Sequence, residues 1–216
     1  MLKKLMYISD GENQETQLLN VSKALDSGCN WIQIRYKNRT ESEVLQLAEQ
    51  TRKIISSYPE VTLIINDHPR VALLTDAHGV HLGLTDSPVK EARALLGAHK
   101  IIGGTANTVD DLLQRIAEGC DYIGLGPYRY TSTKEKLSPI LGLTGYQKLF
   151  IRLKELNVEH PPVYAIGGIQ PEDIEDLMHT GVYGIAFSGL LNHHPKPIEL
   201  MNILRKKTNE TLEYSR

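Results

Sequence analysis

Cysteine is almost missing from this chain: Cys29 and Cys120 are the only two among 216 residues, and they form no Cys-x-x-Cys pair. That excludes a disulfide framework, and two isolated thiols fit a reduced, cytoplasmic protein. Long apolar runs are missing as well. None approaches the ~20 residues of a bilayer span, and the start, MLKKLMYISDG, turns polar too soon for a secretory signal. No sign of charge dominates: 24 Lys and Arg stand against 26 Asp and Glu, a formal charge of −2 with both signs interspersed. The composition therefore argues for neither a nucleic-acid nor an acidic-substrate partner, and the missing apolar runs argue against a membrane. Finally, no Gly-x-Gly-x-x-Gly follows the first apolar run, so an open dinucleotide-binding sheet lacks its signature.

What is present is alternation. Met6–Ser9, Trp31–Lys37, Val61–Ile65, Val80–Leu82, Lys100–Gly103, Tyr122–Leu125, Val163–Ile166 and Gly184–Phe187 read as strands. Helical spacing fills the gaps, as in Leu18, Leu19, Val21, Ala24 and Leu25 before the stop at Gly28. Thr40-Glu-Ser-Glu43 has capping-box spacing and opens the second helix. Later helices are expected near Pro69–Thr75, Val89–Leu96, Val109–Ala117, Tyr146–Leu156, Pro171–His179 and Pro197–Lys206. Gly28-Cys-Asn-Trp-Ile32, Asp76-Ala-His-Gly-Val80, Gly119-Cys-Asp-Tyr-Ile123 and Gly181-Val-Tyr-Gly-Ile185 repeat one helix-to-strand handover. Eight strand–helix units with short links predict a parallel sheet closed into a single (β/α)8 TIM barrel. The domain is expected over 1–207, with a frayed polar tail over 208–216. The runner-up is an open doubly wound sheet.

In such a barrel the active site gathers where strands end. Those positions hold the unusual residues. Gln33, Arg35 and Lys37 share one face of strand two, and cations there need an anion, either a ligand or a structural salt bridge. Asp67 and Asp86 follow neighbouring strands and could share one Mg²⁺, with a helix N-cap as the plain alternative for each. Gly167-Gly168 and Ser188-Gly189 close strands seven and eight, where backbone N–H groups commonly hold a phosphate; ordinary turns would also use glycine. The loop Gly126–Leu143 is long for its place and carries Thr131, Ser132, Thr133, Arg129 and Lys134, donors and cations of the kind a phosphate takes. His81 reads as barrel lining and His193-His194 as a solvated loop.

These residues resemble the thiamine phosphate synthase family from strand two to strand eight. Its QLREK run resembles Gln33–Lys37, and INDR resembles Ile65-Asn-Asp-His68. GVHLGQ-x-D resembles Gly79–Asp86, and IGxS resembles Ile102-Gly-Gly-Thr105. The GP-x-x-x-T-x-TK loop corresponds to Gly126–Lys134, and AIGGI to Ala165–Ile169. The resemblance implies an enzyme that joins a pyrimidine diphosphate to a thiazole phosphate with Mg²⁺ as cofactor. It implies Asp67 and Asp86 as metal ligands, and Arg35, Lys37, Asn66, Thr105 and Lys134 on the diphosphate. Gln33 would face the pyrimidine; Thr131, Thr133, Gly168, Ser188 and Gly189 would hold the thiazole phosphate. Its partners would be small phosphorylated molecules, with a homo-oligomer left open. Tyr36, Arg129-Tyr130 and Ser188-Gly189 depart from the pattern. The related thiazole tautomerases lack both aspartates and carry histidine where Asn107 stands here, and a non-catalytic phosphate-binding barrel would not need the cations and aspartates together.

Overall fold

The structure, a computed structural model, describes residues 2–130 and 139–213. Its strands are β1 (Leu5–Ile8), β2 (Trp31–Ile34), β3 (Thr62–Asn66), β4 (Gly79–Leu82), β5 (Ile101–Ala106), β6 (Tyr122–Leu125), β7 (Val163–Ile166) and β8 (Gly184–Phe187). All eight pair in parallel in chain order, and β8 returns to β1 with Leu5 opposite Ile185, so the sheet is a closed barrel. The helices around it are α1 (Gln14–Asp26), α2 (Glu41–Ile55), α3 (Pro69–Leu74), α4 (Val89–Leu96), α5 (Val109–Ala117), α6 (Gly142–Glu155), α7 (Ile174–His179), α8 (Gly189–Asn192) and α9 (Pro197–Glu213). No helix among the described residues is long and apolar enough to cross a membrane.

Local chemistry sets several helix starts. Asn13 accepts the Thr16 N–H at 2.9 Å, and reciprocal capping boxes open α2 at Thr40 with Glu43 and α5 at Thr108 with Asp111. The boundaries differ from the expected ones where tertiary contacts act. β2 stops at Ile34, because beyond it Arg35 donates its N–H to the Ser9 hydroxyl at 2.9 Å instead of continuing the ladder. α6 starts at Gly142 rather than Tyr146, α8 is an extra turn after β8, and α9 runs past the expected boundary at Lys207. Thr208 is buried there, bonding back to Leu204 O at 2.9 Å while its carbonyl accepts from Lys4 Nζ at 2.9 Å.

Alternation along each strand divides the core. Ile32, Ile34, Leu63, Ile65, Val80 and Leu82 face outward and join the large cluster under the helices. Met6, Trp31, Ile64, Tyr122, Tyr164 and Ala186 face inward and form a second, smaller core. Three rings dominate it: Trp31 meets Tyr122 and Tyr164 edge-on, with centroids 5.4 and 5.3 Å away, and Tyr122 meets Tyr164 at 5.6 Å. Gly103 makes the room, since a Cβ there would lie 2.1 Å from the Tyr122 ring. Trp31→Ala should therefore open a cavity that the rigid barrel wall cannot collapse around. The expected loss is about 3–5 kcal/mol, read from urea unfolding.

Candidate active site

Most inward positions one layer above the three rings are polar, Ile8, Gly124 and Ile166 being the exceptions. Gln33, Asn66, His81, Thr105 and Ser188 stand at the C-terminal ends of their strands, on the same alternation as the rings below. His81, read from the sequence only as barrel lining, links the two layers. Its Nδ1 shares a hydrogen bond with Tyr122 OH at 3.0 Å, and its Nε2 shares one with Thr105 Oγ1 at 2.9 Å. Two atoms of this layer, Gln33 Nε2 and Ser188 Oγ, are buried without a hydrogen-bond partner among the described residues. A buried donor left unpaired costs free energy, and at a mouth lined by such groups a bound molecule is the natural partner.

Around the mouth the expected residues fall into two groups. The first joins the ends of β2, β3 and β4. Lys37 Nζ pairs with Asp67, and Asp67 in turn meets Asp86. The turn that presents Asp67 is unusual: its φ is +66°, and the His68 N–H closes back on Asn66 O at 2.9 Å. Asp tolerates the left-handed region better than most residues, and such conformations concentrate at functional sites. Asp86 is held by its own turn, accepting the Gly83 N–H at 2.6 Å. Burial pushes the Asp67 carboxyl up to about 6, and contact with Asp86 adds to the rise against the pull of Lys37. Burial acts in the same direction on Asp86, yet contact with Asp67 and the Gly83 N–H hold it below the ordinary carboxylate range.

Among the described residues no cluster of three or more His, Cys, Asp or Glu is placed to hold a metal ion. The Asp67–Asp86 pair still fits a Mg²⁺ that takes most of its shell from water and substrate. Two carboxylates in contact repel each other and are relieved by a cation, and Mg²⁺ commonly binds through one or two carboxylates plus phosphate oxygens.

The second group surrounds a cavity of about 480 Å³ across the mouth, lined among others by Asp10, Arg35, Gly168, Ser188, Gly189 and His193. Arg35 lines this cavity together with the glycine turns, while Lys37 pairs with Asp67. His193, expected in a solvated loop, is exposed but reaches this lining. Thr131, Ser132, Thr133 and Lys134 lie outside the described residues. The chain on either side of them is well anchored. Tyr128 and Arg129 donate their N–H groups to Ile166 O and Gly167 O, both at 2.8 Å, and Leu141 and Gly142 return to Pro127 O and Tyr128 O at 2.9 and 3.0 Å.

Two departures from the family pattern, Arg129 and Tyr36, acquire contacts here, as does Asn107, which stands where the tautomerases carry histidine. Arg129 grips Asp173 with both guanidinium nitrogens and donates to Gly168 O at 3.1 Å, while Asp173 also accepts the Gln170 N–H at 2.8 Å. Tyr36 supports the Arg39 guanidinium, whose carbon lies 5.0 Å from the ring centroid. Asn107 commits its side-chain amide to the Gly126 carbonyl.

A closed barrel with an acidic pair and glycine-rich turns gathered at its strand ends has its unusual residues where barrel enzymes carry their active sites. A family model described as thiamine monophosphate synthase matches residues 5–190. The thiamine-phosphate synthase of Flavobacterium psychrophilum is 52% identical over 207 residues, covering 96% of this chain and 100% of that one. That of Phocaeicola vulgatus is 47% identical over 195 residues, covering 90% and 93%. Among solved structures, the thiamine phosphate pyrophosphorylase from Pyrococcus furiosus superposes with a TM-score of 0.81 at 29% identity, covering 97% of this chain and 96% of that one. The chain belongs to the thiamine monophosphate synthase family and is an enzyme.

The Arg129–Asp173 clamp has a pH signature. Burial alone would raise the Asp173 carboxyl, but the Arg129 bond and the Gln170 N–H hold it below the ordinary range. Its contribution is therefore present above the unfolded carboxylate value of ~3.9 and fades as pH falls through the lowered folded value. Asp173→Asn should lower the melting temperature at pH 7, and the gap from the parent should narrow as pH falls below the unfolded carboxylate value of about 3.9.

Proposed function

We propose that this enzyme joins 4-amino-2-methyl-5-hydroxymethylpyrimidine diphosphate to 4-methyl-5-hydroxyethylthiazole phosphate, forming thiamine phosphate and releasing diphosphate. The observation that carries the reading is the meeting of Lys37, Asp67 and Asp86 at neighbouring strand ends, across the mouth from the glycine-lined cavity. It provides a charged place for a leaving diphosphate and a separate place for a second phosphate. Membership of the family supports the same choice.

Asp67 and Asp86 would hold Mg²⁺, which when bound neutralises charge on the departing diphosphate. The remaining work falls to the chain's own groups. Lys37, Asn66, Thr105 and Lys134 bind the diphosphate, with Arg35 reaching it from the cavity side. Gln33 offers its unpaired Nε2 to the pyrimidine. Thr131, Thr133, the Gly168 turn, Ser188 and Gly189 hold the thiazole phosphate. Loss of diphosphate leaves a pyrimidine-stabilised carbocation, and the thiazole nitrogen captures it. Catalysis is then positioning plus stabilisation of the charge that grows on the leaving group. A cytoplasmic, reducing setting belongs to the same reading and is supported by the two free, buried cysteines. The tautomerase alternative has less support, since Asp67 and Asp86 are paired here and Asn107 is occupied with Gly126.

The direct test mixes both substrates with Mg²⁺ and follows diphosphate. Release should require both substrates and the metal; a folded enzyme that makes no thiamine phosphate would overturn the assignment. For the metal ligands, Mg²⁺–diphosphate should raise the melting temperature of the parent and not of Asp67→Asn. Lys134→Ala should lower kcat on the order of 10²–10³-fold, as expected for a lost charge-stabilising donor. Thr131→Val should instead raise the KM for the thiazole phosphate with little change in kcat, because that phosphate keeps its charge throughout.

A further inference from the structure

Behind the acidic pair, on the helix side of the barrel wall, one guanidinium ties together the two strand ends that carry Asp86 and Thr105. Arg115 lies on α5 with only 4% of its side chain exposed. Its Nε donates to the Thr105 carbonyl at 3.1 Å, and one terminal nitrogen donates to the Gly83 carbonyl at 2.8 Å. The other terminal nitrogen pairs with Glu118 at 2.6 Å, and Glu118 also accepts from Gln114 at 2.8 Å. Gly83 is the residue whose N–H holds Asp86 at 2.6 Å. Thr105 is the residue whose hydroxyl meets His81 at 2.9 Å. Room for this arrangement comes from Gly104, where a Cβ would stand 2.6 Å from Arg115 Cδ and 3.0 Å from Nε.

We propose that Arg115 is a positioning residue for the metal and diphosphate half of the site, setting the Gly83–Asp86 turn against Thr105 without touching substrate. A helix residue serving only stability would be satisfied by Glu118 alone. Arg115 instead gives two of its donors to carbonyls at the ends of different strands, a task that needs the planar fork of arginine and that a lysine ammonium cannot copy. Both carbonyls belong to residues whose other polar groups face the mouth. A tilt of the Gly83 turn would change how the Asp86 carboxylate meets Asp67, and groups that orient a metal ligand typically carry 10–100-fold in affinity.

The inference rests on reading Asp67 and Asp86 as Mg²⁺ ligands, so the test includes Asp86→Asn beside Arg115→Met and Arg115→Lys. Calorimetric titration of each full-length protein with Mg²⁺–diphosphate, and separately with the thiazole phosphate, gives a readout apart from turnover. Both Arg115 variants should bind Mg²⁺–diphosphate about 10–100-fold more weakly. Their affinity for the thiazole phosphate should hold within about twofold, because that phosphate is assigned to loops on other strands. Steady-state kinetics should show the same split, with higher KM for the pyrimidine diphosphate and unchanged KM for the thiazole phosphate. Unchanged Mg²⁺–diphosphate binding in the Arg115 variants, with binding lost in Asp86→Asn, would overturn the inference and leave the metal reading standing. Parallel loss of both affinities with a lowered melting temperature would also overturn it, as the mark of a structural role. Parent-like binding in Asp86→Asn would overturn both. If Arg115→Met does not melt cooperatively, Arg115→Lys decides by the same measurements.

Discussion

Every second residue of a strand in a closed barrel must point into an interior with no solvent, and that interior is filled by stacked layers of side chains. Most of this protein's organisation follows from the constraint. The lower layer is occupied by Trp31, Tyr122 and Tyr164, large rings that fit only because Gly103 contributes no side chain of its own. With the lower barrel plugged, the next inward positions reach the mouth, where polar groups can meet solvent or a ligand. Gln33, Asn66, His81, Thr105 and Ser188 occupy that level. His81 is the hinge of this change from apolar to polar, with Tyr122 below it and Thr105 beside it.

Above that layer the ladder bonds run out, the Asp67 N–H to His81 O at 2.9 Å being among the last, and charged side chains join in holding the chain. Asp67 sits in a left-handed turn against Asp86 and Lys37, an arrangement that burial and like charge make costly on its own. Two arginines hold the loops around it. Arg115 works from the helix side on the ends of β4 and β5, and Arg129 fastens the start of the long loop to Gly168 and Asp173 beyond β7. Both exploit the same property, several fixed donors that never lose their charge and can satisfy carbonyls and carboxylates at once. Arg129 stands at one of the departures from the family pattern. Its bonds to the β7 turn do the anchoring.

Much of this was legible in the residues. Strand and helix periodicity, the repeated handover before Ile32, Val80, Ile123 and Ile185, and the capping box at Thr40 all express local chemistry. The positions of Asp67, Asp86, Thr105 and the glycine turns at strand ends followed once the barrel was inferred. Other features were not legible, for definite reasons. Nothing local distinguishes Arg115 from any exposed helix arginine, since its carbonyl partners are Thr105 and Gly83, ten and thirty-two positions away. Arg35 lines the cavity and Lys37 pairs with Asp67, a division beyond the end of β2 at Ile34 that their spacing alone does not show.

Sequence by itself determined the order and kind of the elements and which residue types stand at strand ends, because periodicity, capping and turn chemistry act between near neighbours. Only the tertiary structure decided which of those ends meet. Asp67 touches Asp86, Arg129 reaches Asp173 and the rings of Trp31 and Tyr164 pack together because closure brings distant strands within a few ångströms of each other. Such contacts depend on strand register and on space left by glycines elsewhere in the chain, and no local pattern carries that information.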